Sequence, residues 1–599
     1  MFSKVLIANR GEIAVRIIRA CEELGIATVA VYSEIDRDAL HVARADEAYL
    51  LGPAPASESY LKIDKILEVC RQSGAEAVHP GYGFLAENAG FARALEEAGI
   101  IFIGPPSSAI DAMGSKTKAR ELMQAAGVPI VPGTTEPVES IEDARRVIEE
   151  TIGYPVAVKA AGGGGGKGFR VALSDDKLAD AFEGAAREGE KFFGDATVYL
   201  ERYLPDPRHV EVQVLADGHG NVIHLGERDC SLQRRHQKLI EESPAPAVDA
   251  ELRAKIGKIA TDAAAAVNYT GAGTIEGLLQ DGEYFFLEMN TRVQVEHCVT
   301  EMVTGIDIVK AGIRVAAGET LSIAQDEVQL RGHAIECRIN AENAARNFAP
   351  APGRIGEYRE PTGPGTRVDS GVGPGSEISP MYDPMVAKLI VWDADRAQAT
   401  SRMIRALGEY EITDLTTLIP FHRAILATEQ WANAETCRDL IEDRDWLKST
   451  APEAVVSPPT GDDDAETVAQ SYTVEVSGRR FDVTVIGAAA PAAAAAPAAN
   501  GAAARRAPRR AERSSSGGGG GDTLTSPLQG TVLRVAVQQG AEVQEGALIA
   551  VIEAMKMENE ITAHKAGTVS ELPITAGGAV STGDTLAVIT TAAASAGDA

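Results

Sequence analysis

The stretch VAVKAAGGGGGKGFRVAL, residues 156–173, decides how the larger part of this chain is read. Two apolar runs, VAVKA and FRVAL, flank glycines 162–166. As the phosphate loop GxxxxGK(S/T) the segment fails twice. Ala161 stands where the first glycine belongs, and Gly168 follows Lys167 where Ser or Thr would hold Mg2+. GxGxxG does match at Gly163, Gly165 and Gly168, but a glycine run matches almost any such pattern. FRVAL also reads as a strand, where a dinucleotide loop would open a helix. The stretch is therefore strand, glycine loop, strand: a hairpin able to fold over phosphates with its backbone N–H groups. Lys159 adds a point charge just before the glycines. Five successive glycines are costly to order without a ligand, which weighs against a plain surface loop.

Further along, EYFFLEMNTRVQVEH (283–297) would place Glu288, Asn290, Arg292, Gln294 and Glu296 on one face if extended throughout. A solvated strand face has the same pattern. Its neighbour GAGTIEGLL (271–279) weakens that reading, because Glu276 stands alone in an apolar strand. Glu276, Glu288 and Asn290 offer hard oxygen ligands of the kind Mg2+ takes alongside phosphate. Arg292 offers a forked donor for a flat anion. GERDCSLQRRHQKLIEESPAP (226–246) gathers Arg228, Arg234, Arg235, His236 and Lys238, as either a solvated charge run or a basic pocket. Upstream, KVLIA, an amphipathic stretch from Glu12 to Leu24, and ATVAVYS read as strand, helix, strand. Similar alternation continues to Asp445, so residues 1–446 are α/β.

The chain has 599 residues, enough for roughly four domains of about 150 each. With 57 basic and 86 acidic residues its net charge is −29, so neither nucleic acid nor an anionic membrane is expected as a partner. An anionic substrate would need a local basic pocket. No apolar run reaches the roughly 18 residues of a membrane span. The first residues lack a signal pattern, since Asn9, Arg10 and Glu12 interrupt them. Cysteines 21, 70, 230, 298, 337 and 437 form no CxxC, which argues against a zinc site or disulfide framework and suits a reducing cytoplasm.

Residues 447–523 read as linker. SPPTGDDDAET opens it, SYTVEVSGRRFDVTVI (471–486) is a small β hairpin, and the Ala/Pro, Arg and Gly runs of 490–521 form a tether. Residues 524–591 are compact again and repeat internally. GTVLRVAVQQGAEVQEGALIAVI (530–552) aligns without gaps on GTVSELPITAGGAVSTGDTLAVI (567–589), implying a pseudo-symmetric β sandwich. Between the halves, EAMKMEN (553–559) presents Lys556 at a hairpin tip, framed by Met555 and Met557.

EAMKMEN is similar to the attachment motif of biotinyl carrier domains, which implies biotin joined to Lys556 through an amide. The related lipoyl domains usually lack methionines on both sides. Upstream, ANRGEIA (8–14), HPGYGFLAEN (79–88), MGSK (113–116), AAGGGGGKG (160–168), RDCSLQRRHQK (228–238), EMNTRVQVEH (288–297) and ECRINAE (336–342) together resemble the ATP-grasp fold, and within it biotin carboxylase. With its carrier the chain resembles α subunits of actinobacterial-type acyl-CoA carboxylases. The resemblance implies a Rossmann-like N-terminal domain (1–114), an ATP-grasp domain with glycine-rich lid (115–330) and a C-terminal domain (331–446), ahead of linker 447–523 and an all-β carrier (524–591).

It further implies nucleotide contacts from Lys116, Lys159, Gly163, Gly164, Gly165, Gly166, Glu201, Leu204, His209, Gln233 and His236. Glu276, Glu288 and Asn290 would hold Mg2+ or Mn2+, and Glu276 and Glu288 would also serve the ATP site. Arg292, Gln294 and the Val295 backbone would hold bicarbonate, with Glu296 as general base making carboxyphosphate. Lys238 would stabilise the developing anion, and Arg338 the enolate-like biotin. The implied partners are ATP, bicarbonate, biotin protein ligase and a separate carboxyltransferase β subunit in a hetero-oligomer, since no large region remains for a second active site. Acetyl- and propionyl-CoA are the leading acceptors. A pyruvate-type α subunit, another ATP-grasp carboxylate ligase and a carrier scaffold with an inactive nucleotide domain are the alternatives. One departure stands out: the family usually reads EHPVTE, where this chain has Cys298 in EHCVTE.

Overall fold

The computed structural model describes all residues except 115, 135, 165–166, 194–195, 235–236, 451–466, 477–478, 489–521, 527–529, 555–556, 581–582 and 591–599. Side chains at 116–117, 161–164, 167–168, 191–193, 450, 467–476, 479–488, 531, 553–554, 557–559 and 579 also lie outside the description.

The expected strand–helix–strand start forms as Lys4–Ile7, Gly11–Glu23 and Ala27–Ser33. Ile13, Ile17 and Ile18 recur at helical spacing and are buried with Val5 and Ile7. The sheet is parallel, in the order Glu47–Gly52, Ala27–Ser33, Lys4–Ile7, Ala77–His79, Ile101–Phe102. Strand order reverses between Lys4–Ile7 and Ala77–His79, the place where open α/β sheets leave a crevice at their carboxyl ends. Residues 8–10 and 80–88 leave the sheet there.

The glycine-rich stretch is a hairpin, as its sequence implies. Val156–Gly164 pairs antiparallel with Lys167–Ala172 and, on its other edge, with Val198–Arg202. Pairing extends into the glycines as far as Gly164. Helix Asp175–Phe193 covers this sheet, burying Leu178 and Ala185 against Val156 and Val158.

An eight-stranded antiparallel sheet carries most of the polar residues singled out above. Its order is Glu283–Asn290, Gly271–Gln280, Arg208–Ala216, Val222–Arg234, Gln237–Ser243, His333–Asn340, Met385–Asp393, Thr366–Ser370. It runs without interruption across position 330, because Gln237–Ser243 pairs with His333–Asn340. Helix Ala250–Ala266 covers one face with Ile256, Ala260 and Ala264, leaving the other to polar groups.

Thr467–Val476 and Arg479–Ala488 form a longer ladder than the 471–486 expected, because the flanking residues continue the same register. The tether expected over 490–521 lies outside the described residues. The carrier consists of two four-stranded sheets, each mixing strands from both sequence halves. Strands begin at repeat-related positions: Gly530 and Gly567, Glu542 and Ala579, Leu548 and Thr585. The turns repeat too, since Gly540 and Gly577, like Gly546 and Gly583, have positive φ that a side chain would strain. Ala554 pairs with Met557 across the connection between the halves. Among the described residues no helix is long and apolar enough to cross a membrane.

Candidate active site

Along Arg208–Ala216, His209, Glu211 and Gln213 alternate with Val210, Val212 and Val214, which enter the helix-covered core. Register carries that polarity across the sheet. Glu288, Glu276, Glu211 and Arg228 are successive partners on four adjacent strands, with Asn290, Thr274 and Gln213 in the next row. Charges of both signs thus meet where burial forces them to neutralise one another.

Lys238 is the hub. Its Nζ donates to Glu211 Oε2 at 2.5 Å, Glu296 Oε1 at 2.6 Å and Glu276 Oε1 at 2.9 Å. Burial disfavours its charge, but Glu211 and Glu296 outweigh burial and hold its pKa well above the usual lysine range. Glu276 Oε1 also accepts from Asn290 Nδ2 at 2.7 Å and Gln294 Nε2 at 2.5 Å. Burial would raise the Glu276 carboxyl, yet Lys238 and His209 hold it below the ordinary carboxylate range. Glu276 and Glu288 are cross-strand partners beside Asn290, and two carboxyl groups with an amide oxygen make an oxygen donor set that fits a hard divalent cation.

Glu296 sits between two cations. Lys238 holds Oε1, and Arg338 Nη2 donates to Oε2 at 3.0 Å. Burial would raise its pKa, but Lys238, Arg338 and Arg228 hold it at about 2. Arg338 is fixed from behind, its Nε donating to Glu241 Oε1 at 2.6 Å. Arg292 donates to Glu87 Oε2 at 2.9 Å and Asn290 Oδ1 at 3.0 Å, so a loop of the N-terminal sheet reaches the site.

Nearer the glycine hairpin, Lys159 is ion-paired with Glu201, which Arg120 Nη1 also meets at 3.0 Å. His209 Nε2 lies 3.0 Å from Glu276 Oε2. Burial disfavours the imidazolium, but Glu211 and Glu276 raise its pKa to about 9. Leu204, Val131 and Phe285 form a small apolar cluster beside these groups in sequence and sheet order. Gln233 is the cross-strand partner of Lys238.

Residues 1–110 match the family described as biotin carboxylase, N-terminal domain, and 336–443 match biotin carboxylase C-terminal domain. Residues 115–324 match carbamoyl-phosphate synthase L chain, ATP binding domain, and 522–589 match biotin-requiring enzyme. The biotin-dependent acyl-coenzyme A carboxylase alpha3 subunit of Mycobacterium leprae is 46% identical over 592 residues, 98% of each chain. The chain belongs to the biotin carboxylase family. It is a biotin carboxylase fused to a biotin/lipoyl domain, an ATP-dependent ligase using bicarbonate, with biotin, ATP and Mg2+ as its cofactors. A pyruvate carboxylase subunit of Methanothermobacter thermautotrophicus is 55% identical over 435 residues, 73% of this chain and 88% of that one. The biotin carboxylase domain of Hydrogenobacter thermophilus 2-oxoglutarate carboxylase, solved with MgADP, ADP and bicarbonate, is similar with TM-score 0.68 and 48% identity. It covers 75% of this chain and 99% of its own.

In this biotin carboxylase the fold brings Lys238, Glu276, Asn290, Arg292, Gln294, Glu296, Arg338 and His209 together, with Glu288 in register beside Glu276. Gly163 and Gly164 end their strand. Gly165, Gly166, His236, Lys556 and the Lys116 side chain lie outside the described residues. The expected extended segment through Glu296 does not form. The strand stops at Asn290, and the chain turns through 291–296 into helix His297–Thr304. Asn290, Gln294 and Glu296 converge because of that turn, not because of a shared strand face.

Of the cations expected to form a basic pocket, Arg235 and His236 lie outside the described residues, and Arg228 and Arg234 are engaged by other side chains. Arg228 has no exposed surface and donates to Glu211 Oε1, Gln294 Oε1 and Gln213 Oε1 at 2.6, 2.6 and 2.8 Å. Arg234 donates to Asn347 Oδ1 at 2.5 Å. Glu211, Glu87, Glu241 and Arg120 bond the candidate residues directly, and none of them stands out on its own in the sequence as a candidate. The polar alternation of RHVEVQVLA (208–216) is the signal that marks Glu211.

Proposed function

We propose that this chain is the α subunit of an acetyl- or propionyl-CoA carboxylase, carboxylating biotin carried on Lys556 and serving a separate carboxyltransferase β subunit. One observation carries this reading. Likeness to the M. leprae acyl-CoA carboxylase subunit extends through carboxylase, linker and carrier alike, whereas the pyruvate carboxylase relative aligns with 73% of the chain. The chain divides functionally at about 1–114, 115–330, 331–446, 447–523 and 524–591. A biotin protein ligase loads Lys556, and the hetero-oligomer works in the cytoplasm.

ATP binds under the glycine hairpin, with Lys116, Lys159 and the N–H groups of 163–166 meeting phosphates. Glu201, Leu204, His209, Gln233 and His236 complete the nucleotide site. Glu276, Glu288 and Asn290 would hold Mg2+, which supplies charge neutralisation to the phosphates. Arg292, Gln294 and the Val295 backbone orient bicarbonate. Glu296, ionised because Lys238 and Arg338 hold its pKa at about 2, accepts the bicarbonate proton as a bicarbonate oxygen takes the γ-phosphoryl group of ATP. ADP leaves and carboxyphosphate forms. Lys238 stabilises the charge that develops, and Arg338 turns from Glu296 towards the ureido oxygen of biotin. Carboxyphosphate breaks to CO2 and phosphate, and biotin held beside Arg338 would supply the ureido nitrogen that gives its proton to that phosphate and takes up the CO2.

The test is avidin capture of the chain with its native partner, followed by ATP-dependent fixation of labelled bicarbonate. Incorporation into acetyl- or propionyl-CoA is expected. Incorporation into pyruvate alone would overturn the acceptor assignment in favour of a pyruvate-type α subunit, the reading that the 55% identical relative supports.

A further inference from the structure

Residues 291–296 leave the sheet before helix His297–Thr304 begins, so no strand ladder holds them. Side chains hold them instead. At one end Glu87 Oε1 accepts from the Thr291 N–H at 3.2 Å. At the other, Lys388 Nζ donates to the Val295 carbonyl at 2.7 Å. Lys388 lies opposite Arg338 in the sheet and has no exposed side-chain surface. Nζ also lies 3.1 Å from Cys298 Sγ, which in turn donates to Asp369 Oδ2 at 3.2 Å. Glu12 Oε2 at 3.6 Å and Asp369 Oδ2 at 3.9 Å balance the ammonium. Burying a lysine completely is expensive, and the mechanism above gives this one nothing to do.

We infer that Lys388 is a positioning residue for bicarbonate activation. It grips the Val295 carbonyl, with Cys298 as second acceptor, and so sets the peptide plane from which Glu296 projects. The inference rests on Val295 and Glu296 being the bicarbonate residues. The peptide between them carries both the Val295 carbonyl and the Glu296 N–H, so rotating it would move the Glu296 carboxylate off Lys238 and Arg338. Cys298 makes the arrangement particular to this chain, because the proline usual in the family offers no side-chain acceptor. Position 298 is the second residue of its helix, where proline would sacrifice no intrahelical hydrogen bond. The turn itself does not need the thiol; in this chain the thiol, 3.1 Å from Nζ, fixes the ammonium against the Val295 carbonyl.

The test uses the full-length chain with Lys388→Met, and with Lys388→Met combined with Glu12→Gln. Glu12 is buried without a hydrogen bond among the described residues, so removing the lysine alone leaves an unpaired acid. The expected result is a fall in bicarbonate-dependent kcat of roughly 10- to 100-fold and a raised KM for bicarbonate, as displacement of a reacting group costs. The KM for ATP and the ADP-induced rise in Tm stay unchanged. The double variant recovers Tm without recovering kcat. Wild-type kcat in the double variant, or a parallel loss of ATP affinity, would overturn the inference. If both variants fail to fold, Cys298→Ala and Cys298→Ser decide. A loss of roughly 2- to 10-fold in the alanine variant with near-normal serine variant supports the grip, and two normal variants overturn it. Glu296→Gln runs alongside. Normal turnover there would refute the site reading itself, whereas an inactive Glu296→Gln beside a normal Lys388 double variant refutes only the positioning role.

Discussion

Replacing Glu296 with glutamine keeps the shape of the side chain and removes its charge. In the site it loses a carboxylate that Lys238 Nζ meets at 2.6 Å and Arg338 Nη2 at 3.0 Å. Those cations, with Arg228, outweigh burial and hold the carboxyl at about 2 instead of 4.5. Two magnitudes follow. Loss of a general base lowers bicarbonate-dependent ADP release by roughly 100- to 10,000-fold, about 3–5 kcal/mol on the barrier. The KM for ATP stays unchanged, since Glu296 bonds the cations around bicarbonate and not the lysines assigned to phosphate. The second magnitude is stability. Moving a carboxyl from 4.5 to about 2 on folding corresponds to about 3 kcal/mol, with the cost of burial and the repulsion from Glu211 already contained in that shift. Because the folded pKa is depressed, this contribution is present above pH 4.5 and disappears as pH falls through about 2. The unfolding free-energy gap between wild type and variant is therefore flat from about pH 8 to about pH 5 and narrows below 4.5. Steady-state ADP release against bicarbonate, with denaturant titrations across that range, measures both. A loss of turnover smaller than about 10-fold would refute the general-base role.

Arg228→Met is expected to destabilise the chain by about 3–5 kcal/mol in denaturant titration, because it takes from buried Glu211 one of its two close cations and leaves the Gln213 and Gln294 side-chain oxygens without their donor; a cost below about 1 kcal/mol would mean the arginine is not the support of that floor. Wild-type protein from a biotin-ligase-competent host should carry one biotinyl mass and bind avidin, and Lys556→Arg should do neither. Retained avidin binding in that variant would place the attachment elsewhere. Deleting residues 467–488, the paired hairpin, should weaken co-purification with the carboxyltransferase while leaving bicarbonate-dependent ADP release intact; unchanged co-purification would exclude it as a docking element.

Several parts of this molecule were legible without coordinates. Helical spacing of Ile13, Ile17 and Ile18 between two alternating runs marks the first strand–helix–strand unit, since local periodicity reports which side of an element is buried. Glycines 162–166 between two alternating runs mark the antiparallel hairpin. The carrier sandwich is visible as a repeat because Gly540 and Gly577 must both take positive φ. The ladder of residues 283–290 misled where it ended. Polar alternation in NTRVQVE continues past the sheet, and nothing local in those residues signals that the chain turns at Thr291.

By itself, then, the sequence marked the ATP-grasp and biotinyl character of the chain, and its resemblance to the family proposed Lys238, Glu276, Arg292, Glu296 and Arg338, which the fold brings together. Only the tertiary structure decided which charges neutralise which. Glu211 enters the site because register aligns it with Glu276 and Arg228 on neighbouring strands. Glu241 holds Arg338 from within the sheet, and Glu87 and Lys388 hold a segment that no ladder supports. A lone acid or lysine in an apolar strand carries no mark of its partner. The partner is chosen by strand register and by loops arriving from distant parts of the chain, and burial then makes that pairing obligatory.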